Sequence, residues 1–319
     1  MQRPTATSLG ILLAIAAYAA YAFADAIVKG LGQSVGMFEI GLFVTLFSVL
    51  PALFTKPRDE AWRDTFRFRH PWRMQFVAVF RVTASVMITY SFITIPLAEA
   101  YCIVFLIPVF ITLLSVVVLK EEVGLARWVL LLVSFAGVLL VVRPGFRELE
   151  LGHLTALACA FSAAIATVLT RQISGTERRI SLFMLPTLYT ILANLVLLLL
   201  VSGFSGFGWV ELAVMFVCGL LGGAGWLLQI AAIANAPASR IAPIQYSQIV
   251  WALVLGALFF AELPDALSLV GLGIVVIAGI TNVFSDGARA RIAGRFAEYR
   301  ARKRGAQPQP VPIPGPPEI

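Results

Sequence analysis

The sequence predicts an all-α integral membrane protein of ten transmembrane helices, arranged as two inverted five-helix repeats. Three observations predict it: an apolar composition, ten apolar runs of spanning length, and a segment that recurs once in the second half. Hydrophobic residues make up 60% of the chain and charged residues 13%, with a mean hydropathy of +0.91. Soluble domains average ~45–50% apolar and ~25% charged residues, so the medium is a bilayer. A spanning helix needs about 20 mainly apolar residues. Such runs lie near 8–31, 35–54, 74–94, 97–119, 124–142, 152–171, 180–201, 208–233, 240–261 and 265–284. None alternates as a membrane barrel strand does, and a helix satisfies its backbone groups internally.

The first run begins "MQRPTATSLGILLAIAAYAAYAFADA", with the basic residue, apolar core and small residues of a cleavable secretion signal. It is expected to stay as the first helix, because the run continues to Leu31 and the first half needs a fifth member. Two polar stretches, "DEAWRDTFRFRHPWR" and "ARARIAGRFAEYRARKRG", set Trp62, Phe66 and Arg69, and Ile292, Phe296 and Tyr299, at helical spacing. Both read as basic amphipathic helices lying on a membrane surface. The end, "AQPQPVPIPGPPEI", reads as an extended, unpacked tail.

The repeat is visible by sliding the chain. At an offset of 142, "LGILLAIAAYAAYAFADAIVK" from Leu9 falls on "LGHLTALACAFSAAIATVLTR" from Leu151 with seven identities, and Lys29 meets Arg171. At an offset of 141, the segment from Pro96 falls on the segment from Pro237 without gaps, pairing Glu121 with Glu262 and Phe105 with Tyr246. Five helices per half is an odd number, so the second half must enter the membrane inverted, as in many secondary transporters. The expected units are residues 1–147, residues 148–286, and a basic segment with the tail at 287–319.

Charge sets the expected orientation. With both termini on the cytoplasmic side of an inner membrane, 20 Lys and Arg fall on that side, three (Lys29, Arg143, Arg147) fall opposite, and Arg81 alone lies inside a span. That asymmetry obeys the positive-inside rule. It also assigns the net charge of +7 to loops facing anionic lipid at the cytoplasmic face, not to nucleic acid. The three cysteines, Cys102, Cys159 and Cys218, are scattered through spans without disulfide or ligand spacing, and the two histidines form no helical His/Glu pair. No metal, no cofactor and no enzymatic activity are expected. A passive channel would need a continuous polar stripe, and the polar residues here are isolated on aromatic-rich helices.

Ten spans in two halves, with "PLAEAYCIVFLIPVFITLLSVVVLKEE" followed by "VGLARWVLLLVSFAGVLLVVRPG", resemble the EamA-type transporters of the drug/metabolite transporter superfamily. The resemblance covers residues 8–284. It implies a carrier whose central cavity is lined by spans one, three, four, six, eight and nine. Members move amino acids, nucleotide-like metabolites, vitamins or toxic compounds, so the resemblance names no single substrate. The second half departs from the pattern: Arg240 stands where Glu99 does, and Ile249 where Pro108 does.

Ionisable groups inside a span are costly and usually face a pathway. Asp25 shares a helical face with Tyr18, Tyr21 and Lys29, and would meet a proton or a cationic substrate group, or else pair locally with Lys29 four residues on. Arg81, with Ser85 and Thr89 following on its face, would meet a carboxylate or phosphate, or else snorkel to water. Tyr101 and Phe105 on span four, and Gln245, Tyr246, Gln248 and Trp251 on span nine, supply aromatic walls and hydrogen-bonding groups. Trp226 and Gln229, beside the "GGAG" at Gly222–Gly225, are weaker candidates. Glu99, near the outer mouth, is expected within reach of Lys29, and the terminal Glu121 and Glu262 are expected to pair with interfacial cations or cap the next helix. The resulting expectation is a secondary carrier of an amino acid or related zwitterion working by alternating access, with proton coupling open. Export of toxic organic compounds, or transport of a vitamin or nucleoside-like metabolite, are the alternatives.

Overall fold

The computed structural model describes residues 6–54, 66–119, 124–143, 148–173, 176–236 and 241–282. The second amphipathic stretch, the tail, Glu121, Arg147 and Arg240 lie outside them, as do residues 59–65 of the first amphipathic stretch, whose described part is turn and bend up to His70 and α3 from Pro71, not a separate surface helix. The helices are α1 Ala6–Leu31, α2 Met37–Phe54, α3 Pro71–Thr94, α4 Leu97–Val104, α5 Ile107–Leu119, α6 Leu125–Val142, α7 Leu151–Ile173, α8 Arg179–Leu197, α9 Trp209–Asn235, α10 Ser247–Phe260 and α11 Ala266–Asn282. With α4 and α5 counted as one span, seven helices among the described residues are long and apolar enough to cross a membrane, and three shorter apolar helices bring the count to ten.

Two expected spans are not continuous α-helix. The fourth breaks at Phe105 and Leu106, where the Leu106 N–H bonds Ile103 O at 2.9 Å, a tighter i to i−3 bond. Pro108 explains the site of the break, because it has no N–H to give the carbonyl of Val104. The ninth is interrupted after Ile241. A 3₁₀ turn, Ala242–Tyr246, containing Pro243, precedes α10. Each break therefore sits beside a proline and an aromatic residue of the recurring segment.

Packing follows small residues. α1 lies along α9, α3 along α7, and α2 along α9, while α4 and α10 meet near the centre. A close and reciprocal backbone approach tied to glycine joins α6 and α11. A Cβ added to Gly271 would stand 2.7 Å from the carbonyl oxygen of Gly137, and one added to Gly137 would stand 2.9 Å from that of Gly271. Rigid backbone cannot yield as a side-chain tip can. Gly271→Ala is therefore expected to destabilise by about 1–3 kcal/mol, the range of overpacking. Gly273→Ala on the same helix, with nothing within 4 Å of the added atom, should leave the melting temperature in detergent unchanged or raised. Equal melting temperatures for the two variants would refute this packing.

One end of the bundle carries the C-terminus of α1, the break between α3 and α4, and the turn after α10. Lys29, Glu99, Arg143, His153, Glu262 and Asp265 gather there, and it is called the Lys29 end. The opposite Pro71 end carries the start of α3 and the turn between α7 and α8. There the His70 N–H donates to Glu177 Oε1 at 2.6 Å, and the hydroxyl of Tyr189 donates to Gln75.

Candidate functional site

A cavity of about 530 Å³ lies between α2, α3, α7, α8 and α9. It runs from Ile88 and Cys159 in the middle of the bundle to Thr170 and Leu182, near the Pro71 end. Arg81 lines it and is exposed there, beside Thr45, Ser85, Thr187 and Thr190. The helical period places Arg81, Ser85 and Ile88 on one face of α3. The hydroxyls of Thr170, Thr187 and Thr190 donate to carbonyls of their own helices at 2.7, 2.8 and 2.9 Å. Their protons are thus committed, and they present lone pairs to the cavity. The cavity therefore offers a charged donor at Arg81, and acceptors at these threonines of α7 and α8. Trp226 forms part of the wall, stacked on Phe183 at 4.4 Å between ring centroids and 28° between planes.

A second cluster lies further toward the Lys29 end. The carboxylate of Asp25 accepts a hydrogen bond from the Tyr101 hydroxyl. Gln248 is a further hydrogen-bond partner of Tyr101. Rings then continue as a column: Phe92 to Tyr101 at 5.4 Å, Tyr101 to Phe105 at 6.4 Å, and Phe105 to Tyr246 at 4.7 Å. The break at Phe105 lets α4 meet α10 here, and Gly279 on α11 makes room for the Tyr246 tip, since an added Cβ would lie 2.0 Å from that hydroxyl. Gln245 is a hydrogen-bond partner of Tyr246. Two residues connect the cluster to the cavity. Ile88 lines the cavity and packs against the apolar cluster that contains Tyr101 and Tyr246, and Cys159 lines the cavity within electrostatic reach of Asp25.

The structure thus brings Asp25, Tyr101, Phe105, Tyr246 and Gln248 together and sets Arg81 in the adjoining cavity. It places other candidates elsewhere. The Tyr21 hydroxyl donates to Gln229 Oε1 at 3.1 Å, and Gln229 Nε2 donates to the Tyr18 hydroxyl at 3.2 Å, so Gln229 links the two tyrosines to α9. Gly225 permits this, with Tyr21 Cε1 at 2.9 Å from its missing Cβ. Trp251 lies at the edge of the bundle, 6.0 Å from the ring of Phe23, which is 40% exposed on the outer surface. Lys29 does not serve Asp25: its ammonium forms an ion pair with Glu262 at 2.7 Å. Glu99 takes His153 Nε2 at 3.0 Å. The local Asp25–Lys29 pair is thereby replaced by a contact between spans, which spacing along one helix cannot reveal.

The sequence reading passed over Thr170, Thr187, Thr190 and Cys159. A signal existed on α8, where Phe183, Pro186, Thr187 and Thr190 recur at helical spacing within "LFMLPTLYT". Among the described residues no group of three or more His, Cys, Asp and Glu is placed to hold a metal ion.

Comparison with known proteins bears on what such an arrangement belongs to. The EamA-like transporter family matches the chain twice, over residues 8–143 and 150–284. The S-adenosylmethionine uptake transporter of Rickettsia felis is 26% identical over 269 residues, covering 82% of this chain and 88% of the relative. The pseudopaline exporter of Pseudomonas aeruginosa is 30% identical over 199 residues, 60% of this chain and 67% of the exporter. The riboflavin transporter of Rhizobium johnstonii is 24% identical over 216 residues, 67% of this chain and 70% of the relative. A solved crystal structure superposes with a TM-score of 0.58 at 18% identity, over 89% of this chain and 99% of its own, which shows the fold. A multi-spanning all-α bundle matched across both halves is a membrane transporter rather than an enzyme, and the chain belongs to the EamA-like transporter family.

Proposed function

We propose that the protein is a secondary carrier that moves a small organic zwitterion, an amino acid or a derivative of one, by alternating access across an inner membrane. One observation carries the reading: a guanidinium exposed to a cavity, and a hydrogen-bonded carboxylate just beyond its inner end. Opposite charges at two points of one route suit a solute with a carboxylate and a cationic nitrogen or sulfur. The acceptor-only threonines suit its N–H groups. The stacked Trp226 and Phe183 suit a planar ring on the same solute. S-adenosylmethionine, the solute named for a relative, combines an amino-acid zwitterion, a sulfonium and an adenine, which makes it the first compound to try.

The halves are read as inverted repeats of five spans each, residues 1–147 and 148–286. The sequence register supports this, as does the stacking of Phe105 on Tyr246, which occupy corresponding places in the recurring segment. The distribution of Lys and Arg supports cytoplasmic termini, with the Pro71 end inward and anionic lipid against it.

Reconstituted protein in liposomes preloaded with S-adenosylmethionine or an amino acid should accumulate labelled solute by counterflow. Arg81→Gln should raise the apparent KM by about 10- to 100-fold, the equivalent of a charged hydrogen bond worth roughly 1.5–3 kcal/mol. Folded protein that shows no counterflow with any zwitterion would refute the assignment. An unchanged KM in Arg81→Gln would remove Arg81 from the site.

A further inference from the structure

Three polar contacts at the Lys29 end each join a residue of the first family match to a residue of the second. Lys29 on α1 meets Glu262 after α10 at 2.7 Å, and His153 Nε2 on α7 meets Glu99 Oε2 on α4 at 3.0 Å. Arg143, the C-cap of α6, meets Asp265 ahead of α11 and donates to Ser268 Oγ at 3.1 Å. The large cavity instead reaches toward the Pro71 end.

The Lys29 contact is built unlike a surface salt bridge. Its two side chains are 8% and 20% exposed. The ammonium also donates to the carbonyls of Phe92 at 3.3 Å and Ile95 at 2.7 Å, and Glu262 Oε2 accepts the Leu97 N–H at 3.1 Å. One cation and one carboxylate so hold together the C-terminus of α1, the C-terminus of α3, the N-terminus of α4 and the C-terminus of α10. The backbone at this end is also unusual. Arg143 (φ 46°) and Ala261 (φ 54°), the residue before Glu262, are left-handed without being glycine. Side-chain-bearing residues adopt that geometry at a cost, and it persists where surrounding contacts over-determine it. Beside these contacts lies a pocket of about 310 Å³, lined by Ala98, Ala252 and Leu253 together with the carboxylate residues Glu99, Glu262 and Asp265.

We infer that these three cross-half contacts form a latch that closes the Lys29 end while the Arg81 cavity is open toward the other, and that they part together when the Lys29 end opens. The inference rests on the alternating-access reading. The latch is polar for a physical reason: each ion that loses its partner on opening meets water, whereas a purely apolar seal would expose its faces to water at full hydrophobic cost. The Arg143 guanidinium and the Ser268 amide hold the Asp265 carboxyl well below the usual carboxylate range, so this contact stays ionised in mild acid.

Thiol accessibility in purified, detergent-solubilised protein tests the latch without needing a substrate. With Cys102, Cys159 and Cys218 replaced by alanine, Ala98→Cys reports the pocket beside the latch and, in a separate protein, Ser85→Cys reports the Arg81 cavity. Glu262→Gln keeps an acceptor for the Leu97 N–H, and Asp265→Asn alters a side chain that is 43% exposed, so both variants should fold. Each should raise the maleimide labelling rate of Ala98→Cys several-fold and lower that of Ser85→Cys, with the double variant exceeding either. An unchanged rate at Ala98→Cys would overturn the latch. A rise at both reporters would also overturn it, because it would signal loosened packing. Failure of counterflow alone would refute the carrier reading and leave the labelling result standing as a separate measurement.

Discussion

Asp25→Asn is expected to lower the initial rate of zwitterion transport in liposomes by about 10- to 100-fold, with folded protein still recovered from the membrane. The carboxylate accepts the Tyr101 hydroxyl and has its cationic neighbour on the helix, Lys29, committed elsewhere. Its negative charge is therefore available to a cationic group of the solute or to a proton. An interaction with a charged partner is worth roughly 1.5–3 kcal/mol, which gives that range of rate or affinity. Asparagine keeps the acceptor for Tyr101, so the variant isolates the charge from the geometry. If Asp25 also carries a coupling proton, the pH dependence of the wild-type rate should vanish in the variant. A near-normal rate with an unchanged pH profile would remove Asp25 from the pathway. Tyr101→Phe would then be the remaining measurement of what that hydrogen bond does.

Lys29→Met is expected to produce the largest loss of stability. Removing one partner of a buried ion pair strands the other charge, at a typical cost of about 3–5 kcal/mol. The lower end of that range applies here, because Glu262 is 20% exposed and keeps the Leu97 N–H. The carbonyls of Phe92 and Ile95 lose their donor as well, which adds to the loss. Denaturant unfolding in detergent should show the drop. The double variant Lys29→Met with Glu262→Leu should recover most of it, since an apolar pair of similar volume is often as stable as a buried salt bridge. Wild-type stability in Lys29→Met would mean that the contact with Glu262 is not made in the resting protein. A large loss in Asp25→Asn as well would revive the local Asp25–Lys29 pair.

Much of the molecule was legible along the chain because the signals are local. Hydropathy over about 20 residues marks a span, and each of the ten expected runs coincides with an apolar helix or a pair of helices. The break at Phe105 and Leu106, next to Pro108, required the helix to be seen. Family membership was legible too, from a segment with a proline at one end and a glutamate at the other. The polar residues within spans were visible as candidates, since there are few of them. Their partners were not.

Sequence by itself determined that this protein is a bundle of about ten membrane helices of the EamA-like transporter family, because span length and apolar composition are properties of a continuous stretch. It determined which few polar side chains must be accommodated inside. Only the tertiary structure decided how. Lys29 could reach Asp25 one turn away, Glu99 or Glu262, and one-dimensional spacing favours the first. Folding chose Glu262 because the turn at Ala261 and the end of α3 place a carboxylate and two carbonyls around one ammonium. Likewise Asp25 was left to Tyr101, Tyr18 and Tyr21 were tied to Gln229, and Arg81 was set in the larger cavity. In a low-dielectric interior each buried polar group must find a partner, and which partner is near depends on helix rotation and depth, which hydropathy does not encode.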